Sequence, residues 1–374
     1  MKRAFSTSAL IIAFGLFIGN ISFAASPSPA LLQAKKEAEA KGYVYLTDRD
    51  EIISRAKKEG RLRVLTSVEP ATLKASSAVF TKKYPFISLD VQHFTGTEAA
   101  QRILLEVQSG AARDSDIISP FPDFLKEYIP HFLKIDILGM AGQGVLQIPL
   151  QMIDSINRNL AAFHSRFQVT AYNKNLVPAN QLPKLWEDLL RPEFKGRKFA
   201  VDIRPTEIAA LVPAWGLEKT LDFARKVAAQ QPIWVRGASR TLPVIVAGEV
   251  PMMVGPNFQT VKRAQAKDQA GILQYVILEP VPVRLAEPLG IVATSQHPHA
   301  ALLYLEWMAG PEAQRIADEY EPLGSSVYVR GGAVEQELRG KKLTVVRWED
   351  YQHIGQWQSK IVEAFGFPKA DVAR

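Results

Sequence analysis

The sequence predicts an α/β protein of two successive blocks, each a mostly parallel sheet flanked by helices. Three observations carry that expectation. Apolar runs of strand length alternate with runs of helical length, the rhythm of βαβ units. No low-complexity or flexible segment separates the two blocks, so strands rather than a linker join them. A chain of 374 residues, 47% hydrophobic and 22% charged, is long and apolar enough to bury a sizeable core.

The elements follow in order. Residues 25–43, "ASPSPALLQAKKEAEAKGY", read as a short linker and a charged helix. "LRVLTS" (62–67) is an apolar strand ending in hydroxyl residues, and "ATLKASSAVFTKKYP" (71–85) is a helix stopped at Pro85. "ISLDVQHF" (87–94) alternates as a strand. "TGTEAAQRILLEVQSG" then opens a helix with Thr95 as N-cap and Glu98 three residues on, the spacing of a capping box, and Gly110 ends it. "SDIISP" (115–120) is a third strand.

The second block begins near residue 168. "FQVTAYNKN" reads as a strand, and "LPKLWEDLLRPEFKGRKFAVDI" as helix, turn and strand. "LEKTLDFARKVAAQ" (217–230) has helical apolar spacing, "TLPVIVAGEVPMMVG" (241–255) gives helix then strand, and "ILQYVILEPVP" and "EPLGIVATS" are extended. Helices return at 298–309 and 312–320.

The N-terminus has the anatomy of a secretory signal peptide. Lys2 and Arg3 precede the apolar run "ALIIAFGLFIG", and Ser22-Phe23-Ala24 supplies a small-x-small cleavage site, with cleavage after about Ala24. The chain has no cysteine, so neither a disulfide nor a lipid anchor on an N-terminal Cys can form. Export to a bacterial periplasm as a free monomer is the expectation. The net charge of +7 favours anionic partners in general. Its basic residues are scattered, without the clustering that nucleic acid requires.

Motifs of catalysis are missing. "GASRT" (237–241) lacks the second glycine of a nucleophile elbow, and no H-E-x-x-H, Walker loop or G-x-G-x-x-G occurs. The close pair His297-Pro298-His299 reads as a helix-start turn with two solvated imidazoles, because zinc would need further ligands. No cofactor and no metal ligand set is expected, and the chain is not read as an enzyme.

What remains is a series of strand ends opening into helix starts, where an open parallel sheet binds ligands. Ser67, Gly96 with Thr97, and Ser119 occupy these places in the first block. For Gly96 and Thr97, ligand contact and plain turn chemistry remain alternatives. In the second block, "VDIRPTE" (201–207) and "VRGASR" (235–240) share a form: strand end, Arg, hydroxyl residue. Arg204 and Arg236 could clamp an anion or stand as surface arginines. Tyr172 is a ligand candidate or half-buried packing, and Asn257 a ligand candidate or a turn residue.

Several segments together match a family: "AKKEGRLRVLTS", "FTKKYPFISLDVQHFTGTEAAQRILLEVQSG", "DSDIISP", "YNKNLVPANQLPKLWEDLLRPEFKGRKFAVDI" and "VAGEVPMMVG". In this order, from about residue 54 to about 320, they resemble the extracellular solute-binding proteins of ABC importers. The branch is the one that includes the ferric-ion, phosphonate, polyamine and thiamine binders. The resemblance implies a two-lobed periplasmic-binding-protein fold of type II, with strands crossing near 168–172 and 284–290. The implied division is a signal peptide at 1–24, lobe 1 from 25–169, lobe 2 from 170–286, and a return to lobe 1 with C-terminal helices at 287–374. Its ligand loops map onto Ser67, Gly96 and Thr97, Ser119, Tyr172, the turn of Asp202, Arg204 and Thr206, and the loop of Asn257. Arg236 joins this set from the reading of its own turn.

Ferric-ion members of that family carry an adjacent tyrosine pair just after the strand matching "VPMMVG". Here Pro256, Asn257 and Phe258 follow, and Tyr320 and Tyr328 lie elsewhere. The leading expectation is therefore a small polar anion, phosphorylated or carboxylated, bound between lobes and passed to an inner-membrane ABC permease. Ferric iron or a ferric chelate is the alternative cargo. An exported enzyme on the same scaffold, or a protein presenting ligand to a chemoreceptor, are alternative classes.

Overall fold

The computed structural model describes residues 28–112, 114–120, 124–322 and 324–367, and the leader expected at 1–24 lies outside the described residues. Ten strands among the described residues form one mixed sheet. They are β1 (Arg61–Thr66), β2 (Ser88–His93), β3 (Ile117–Ile118), β4 (Leu160–Asn173), β5 (Ala200–Asp202), β6 (Ile233–Val235), β7 (Met252–Asn257), β8 (Leu273–Val276), β9 (Val281–Ile291) and β10 (Leu343–Val346). The order is β2-β1-β3-β9-β4-β7-β5-β6, with β10 beside β9 and β8 beside β4. The parallel pairs β1–β2, β1–β3, β5–β6 and β5–β7 lie toward the two ends, as the alternating strand and helix runs imply. Between them the two long strands β4 and β9 pair antiparallel, from Leu160 opposite Gly290 to Phe167 opposite Val283. Beyond Phe167, β4 leaves this partnership and pairs with β7 and β8 instead. One strand therefore belongs to both ends of the sheet, and the molecule has two lobes.

Each lobe fills its own core. Phe80, Leu62, Val64, Ile117 and the helix Pro298–Ala309 pack on one face of the first lobe. Leu65, Phe94, Ile103 and Tyr128 pack on the other. In the second lobe, Phe167, Leu242, Phe258 and Val261 form one layer, and Trp186, Phe199, Phe223 and Val227 the other. A layer of side chains on both faces is what a sheet of parallel βαβ units requires. The helix Pro298–Ala309 is buried from Ala300 to Ala309, so it is apolar on all sides instead of amphipathic. Its one carboxylate, Glu306, is held by Arg49 at 2.6 Å and by the Gln147 backbone N–H at 2.9 Å.

Several sequence expectations need correction. The segment 182–194 forms two 3₁₀ turns, Trp186–Leu190 and Pro192–Phe194, where a helix was expected, because Pro183 and Pro192 prevent a continuous run. β4 starts at Leu160, seven residues before Phe167, where the expected strand opens. Thr95 is not the N-cap of the helix Thr97–Gln108: Gly96 is, at φ +83°, with no side-chain cap bond. His297 and His299 are half-buried and paired, where two solvated imidazoles were expected. Each places Nδ1 on a carboxylate, Asp116 at 3.0 Å and Glu59 at 2.6 Å.

The C-terminal helix Trp348–Phe365 touches both lobes. Trp348 packs in the first-lobe layer and donates its indole N–H to the Met152 carbonyl at 3.2 Å. Ile361 and Phe365 sit in the second-lobe layer with Phe223 and Val227. Eighteen residues of α-helix reach about 27 Å, enough to bridge the lobes.

Replacing Leu302, fully buried in the central helix, by alanine should cost about 2–5 kcal/mol in urea denaturation, through lost transfer energy and a residual cavity. A cost below about 1 kcal/mol would show that the helix is not packed as described.

Candidate functional site

The carboxyl ends of β1, β2 and β3 share one rim because the three strands run parallel. Phe94 donates its N–H to the Thr66 carbonyl at 3.0 Å and Ser119 to Leu65 at 2.8 Å, which aligns the three exits. Ser67, the Gly96 turn and Ser119 stand on this rim. Gly96 is exposed, and a Cβ there would meet nothing within 4 Å, so its positive φ alone calls for glycine. The Thr97 side chain lies outside the described residues.

The opposing jaw is made by the ends of β5, β6 and β7. Asp202 organises it: one buried carboxylate accepts from the Arg204 backbone N–H (3.0 Å), the Arg204 guanidinium (3.2 and 3.3 Å) and the Gly237 N–H (2.8 Å). The exits of β5 and β6 are thus tied by a structural carboxylate instead of offering it to a ligand. Thr206 accepts from Gln358 Nε2 of the C-terminal helix at 3.0 Å. Asn257 caps the helix Phe258–Gln265, its side chain accepting from the Gln259 N–H at 2.9 Å.

Between the jaws lies a cavity of about 350 Å³. It takes Ser67 and Ser119 from one lobe and Asn257 from the other. Its floor is the crossing pair: Ala162 and Arg166 of β4, and the run from Arg284 to Pro288 of β9. Trp348 and Tyr351 of the C-terminal helix close one wall. Of the expected residues, this cavity gathers Ser67, Ser119 and Asn257. Arg204 and Arg236 line a separate cavity of about 360 Å³ with Gly237, Ser239 and Arg240. Asp202 braces Arg204 and Gly237 of that lining, whereas the Thr206 hydroxyl is tied to the C-terminal helix. Tyr172 lies elsewhere: it is opposite Met252 and Gln274, at the end of β7 remote from Asn257, and packs in the second-lobe core.

Sequence reading missed Arg166, Arg284, Glu287, Trp348 and Tyr351. The signal was present as charges inside otherwise apolar strand runs, "AAFHSRFQV" and "VPVRLAEPLG". Glu287 adopts φ +52°, a left-handed conformation in the middle of a strand, which a non-glycine residue holds only under constraint. Its carboxylate accepts from Ser67 Oγ at 2.8 Å and lies 3.8 Å from Arg166. Arg166 is also paired with buried Glu321 at 2.7 Å.

Tyr351 donates its hydroxyl to the Leu285 carbonyl, and burial pushes its pKa up to about 12, so the phenol keeps its proton at neutral pH. Phe258 turns away from the cavity and stacks on Phe167 with ring centroids 4.6 Å apart. Among the described residues, no group of three or more His, Cys, Asp or Glu is placed to hold a metal ion.

Glu207 is buried behind the jaw, where Gly255 makes room for it. A Cβ at Gly255 would come within 2.1 Å of Glu207 Cγ, and the residue has φ +76°, so two constraints demand glycine there. Burial, with the neighbouring Asp202 charge, pushes the Glu207 carboxyl well above its ordinary value of 4.5. The folded state then keeps a proton that the unfolded chain releases. Stability from this group is full below 4.5 and falls as pH rises toward the raised folded value, by at most about 1.4 kcal/mol per pH unit. Glu207→Gln should remove that slope, so the variant gains on the wild type with rising pH in a denaturation series. Parallel pH profiles for the two proteins would contradict the assignment.

Residues 124–353 match the family described as bacterial extracellular solute-binding protein. A curated relative, the Fe(3+)-binding periplasmic protein of Serratia marcescens, is 24% identical over 222 residues, or 56% of this chain and 63% of that protein. The match thus spans less than two thirds of the relative's own length. Among solved structures, the ferric iron-binding protein A of Mannheimia haemolytica in an open conformation superposes with a TM-score of 0.66 at 19% identity, covering 82% of this chain and 100% of the other. The Trichodesmium protein IdiA (FutA), solved with iron and citrate ligands, gives 0.65 at 19% identity, covering 83% and 100%. At these identities the structural likeness establishes the two-lobed fold. With more than half of its length matched, the chain belongs to the bacterial extracellular solute-binding protein family, whose members bind solutes and are not enzymes.

Proposed function

We propose that the chain is the periplasmic solute-binding component of an ABC importer, taking a polar solute into the cleft between its lobes and passing it to an inner-membrane permease. Its cargo is ferric iron enclosed in an anionic, oxygen-rich organic chelate. The lobes are residues 25–169 with a return from 287, and residues 170–286, with a leader at 1–24 removed on export. The relatives named for ferric iron support the metal. The observation that carries the chelate is the cavity lining: arginines, serines, an asparagine and one engaged carboxylate. A hard ferric ion wants several anionic oxygens. Phe258 faces the core, Tyr351 holds its proton for a carbonyl, and Glu287 is committed to Ser67 and Arg166. An ion that brings its own oxygen ligands avoids this shortage and meets the arginines as an anion.

A second reading, an iron-free organic anion, is favoured by the same arginines and by the small volume of about 350 Å³, near the low end for ligand pockets.

Thermal-shift and calorimetric titration with ferric citrate, citrate alone and a weakly chelated ferric salt separate these readings. Ferric citrate should raise the melting temperature, by an amount equal to about 2.7 kcal/mol at one hundred times its Kd. No phenolate-to-iron absorption band should appear in the visible spectrum. Equal response to citrate alone selects the iron-free reading. Tight uptake of the weakly chelated ion, with a phenolate band, would show that the bare ion is the cargo.

A further inference from the structure

Arg166 of β4 and Arg284 of β9 are register partners in the antiparallel ladder, directly opposite one another, and both side chains reach the interlobe cavity. Like charges placed directly opposite in a sheet destabilise it. β10 pairs with the other edge of β9, Val346 opposite Arg284, so the strand is central and Arg284 cannot swing to an open edge.

The two guanidinium groups are compensated unequally. Arg166 has Glu321 at 2.7 Å and Glu287 at 3.8 Å. Among the described residues, Arg284 forms no ion pair, and its Nε is buried without a hydrogen-bond partner. Arg166 Nη1 is likewise buried and unpartnered. The groups that act on Arg284 from its surroundings are the Tyr351 hydroxyl, the Glu207 carboxyl and Arg166. Tyr351 keeps its proton at neutral pH, burial pushes the Glu207 carboxyl toward its neutral form, and neither forms an ion pair with Arg284. Two arginines and two carboxylates balance in number, but both carboxylates lie against Arg166, so Arg284 has none of its own.

A half-buried arginine whose Nε is buried without a partner and which has no counter-ion is costly unless something else completes it. A planar guanidinium matches a carboxylate or a phosphoryl group two-pronged, and the unpartnered Arg166 nitrogen lies on the same face. We propose that Arg284, with Arg166 beside it, is the oxyanion receptor of the cleft, engaging a carboxylate or phosphoryl group of the solute. This rests on the reading that the solute occupies the interlobe cavity. It moves the anion site from the exposed arginines Arg204 and Arg236, the first of which Asp202 already satisfies, to the crossing strands. An oxyanion there would touch the two strands that join the lobes and the helix that bridges them.

The test is calorimetric titration of the mature protein with citrate, ferric citrate, inorganic phosphate, a neutral sugar and a polyamine, repeated on Arg284→Ala, Arg284→Lys and Arg204→Ala. Wild type should bind at least one oxyanion. Arg284→Ala should weaken it at least tenfold, and Arg284→Lys should recover only part, since an ammonium keeps the charge and loses the fork. Arg204→Ala should leave affinity within about twofold, as befits an exposed arginine already paired. Citrate against phosphate shows which oxyanion is preferred. Ligand-free Arg284→Met supplies an independent reading. A receptor held at the expense of stability predicts an unchanged or higher melting temperature for this variant, whereas a structural arginine predicts a lower one. Oxyanion binding unchanged in Arg284→Ala, or lost in Arg204→Ala instead, overturns the receptor and leaves the importer reading standing. Wild-type binding of the sugar or polyamine alone does the same. Wild-type binding to nothing in the panel counts against both.

Discussion

The pairing of β4 with β9 is the constraint from which the remaining architecture follows. Over the stretch from Leu160 opposite Gly290 to Phe167 opposite Val283 the register is constant, and it fixes which side chains face the cavity. A slip of one residue would turn Arg166 and Arg284 to the opposite face and bring their apolar neighbours forward. The same ladder decides where the lobes stand. Beyond Gly290 the strand β9 joins the parallel set of the first lobe through β3, and beyond Phe167 β4 joins the second through β7. The jaws meet because their sheets are two ends of one sheet, so the alignment of Ser67, Ser119 and Asn257 needs no contact between the lobes themselves.

The helix Trp348–Phe365 adds a third connection to the two strands. Hinge motion concentrates φ and ψ changes in a few residues of the connecting segments. Here any such change must also be taken up by a helix anchored at Met152 in one lobe and through Gln358 at Thr206 in the other. Glu287, in its left-handed conformation and bonded to Ser67, sits where the crossing strand meets the first jaw. Backbone held in a sparsely populated region by a side-chain bond is a natural place for stored strain, and this one lies within the cavity wall.

Much of the fold was legible because it rests on local patterns. The alternation of strand and helix runs, the hydroxyls at strand ends and the amphipathic spacing of Leu217–Ala229 are properties of short windows. That logic also accounts for Ser67, Ser119 and Asn257 lining one cavity, since parallel strands must deliver their carboxyl ends to a common rim. Arg166 and Arg284 escape it, because 118 positions separate them and only the antiparallel register brings them together. Tyr172 lies away from that cavity for the complementary reason: it ends a strand in sequence, but the strand runs antiparallel to its neighbours, so its end points away from the rim. The first half of β4 was missed because "LAAFHSRF" is buried on both faces and shows no alternation. The Thr95 capping box is absent: the N-cap is Gly96, one residue on, and the helix start has no side-chain cap bond.

Trp348 and Tyr351 place one wall of the cavity close to three hundred residues after the serine that faces it. A chain threaded outward from its N-terminus would expose both rims and the crossing pair before that wall existed. The cleft would then pass through a stage at which its floor is laid but its side is open to water. Closing of the cavity is tied in this way to the last helix finding its seat, so a chain lacking that helix would leave the pocket open on that side.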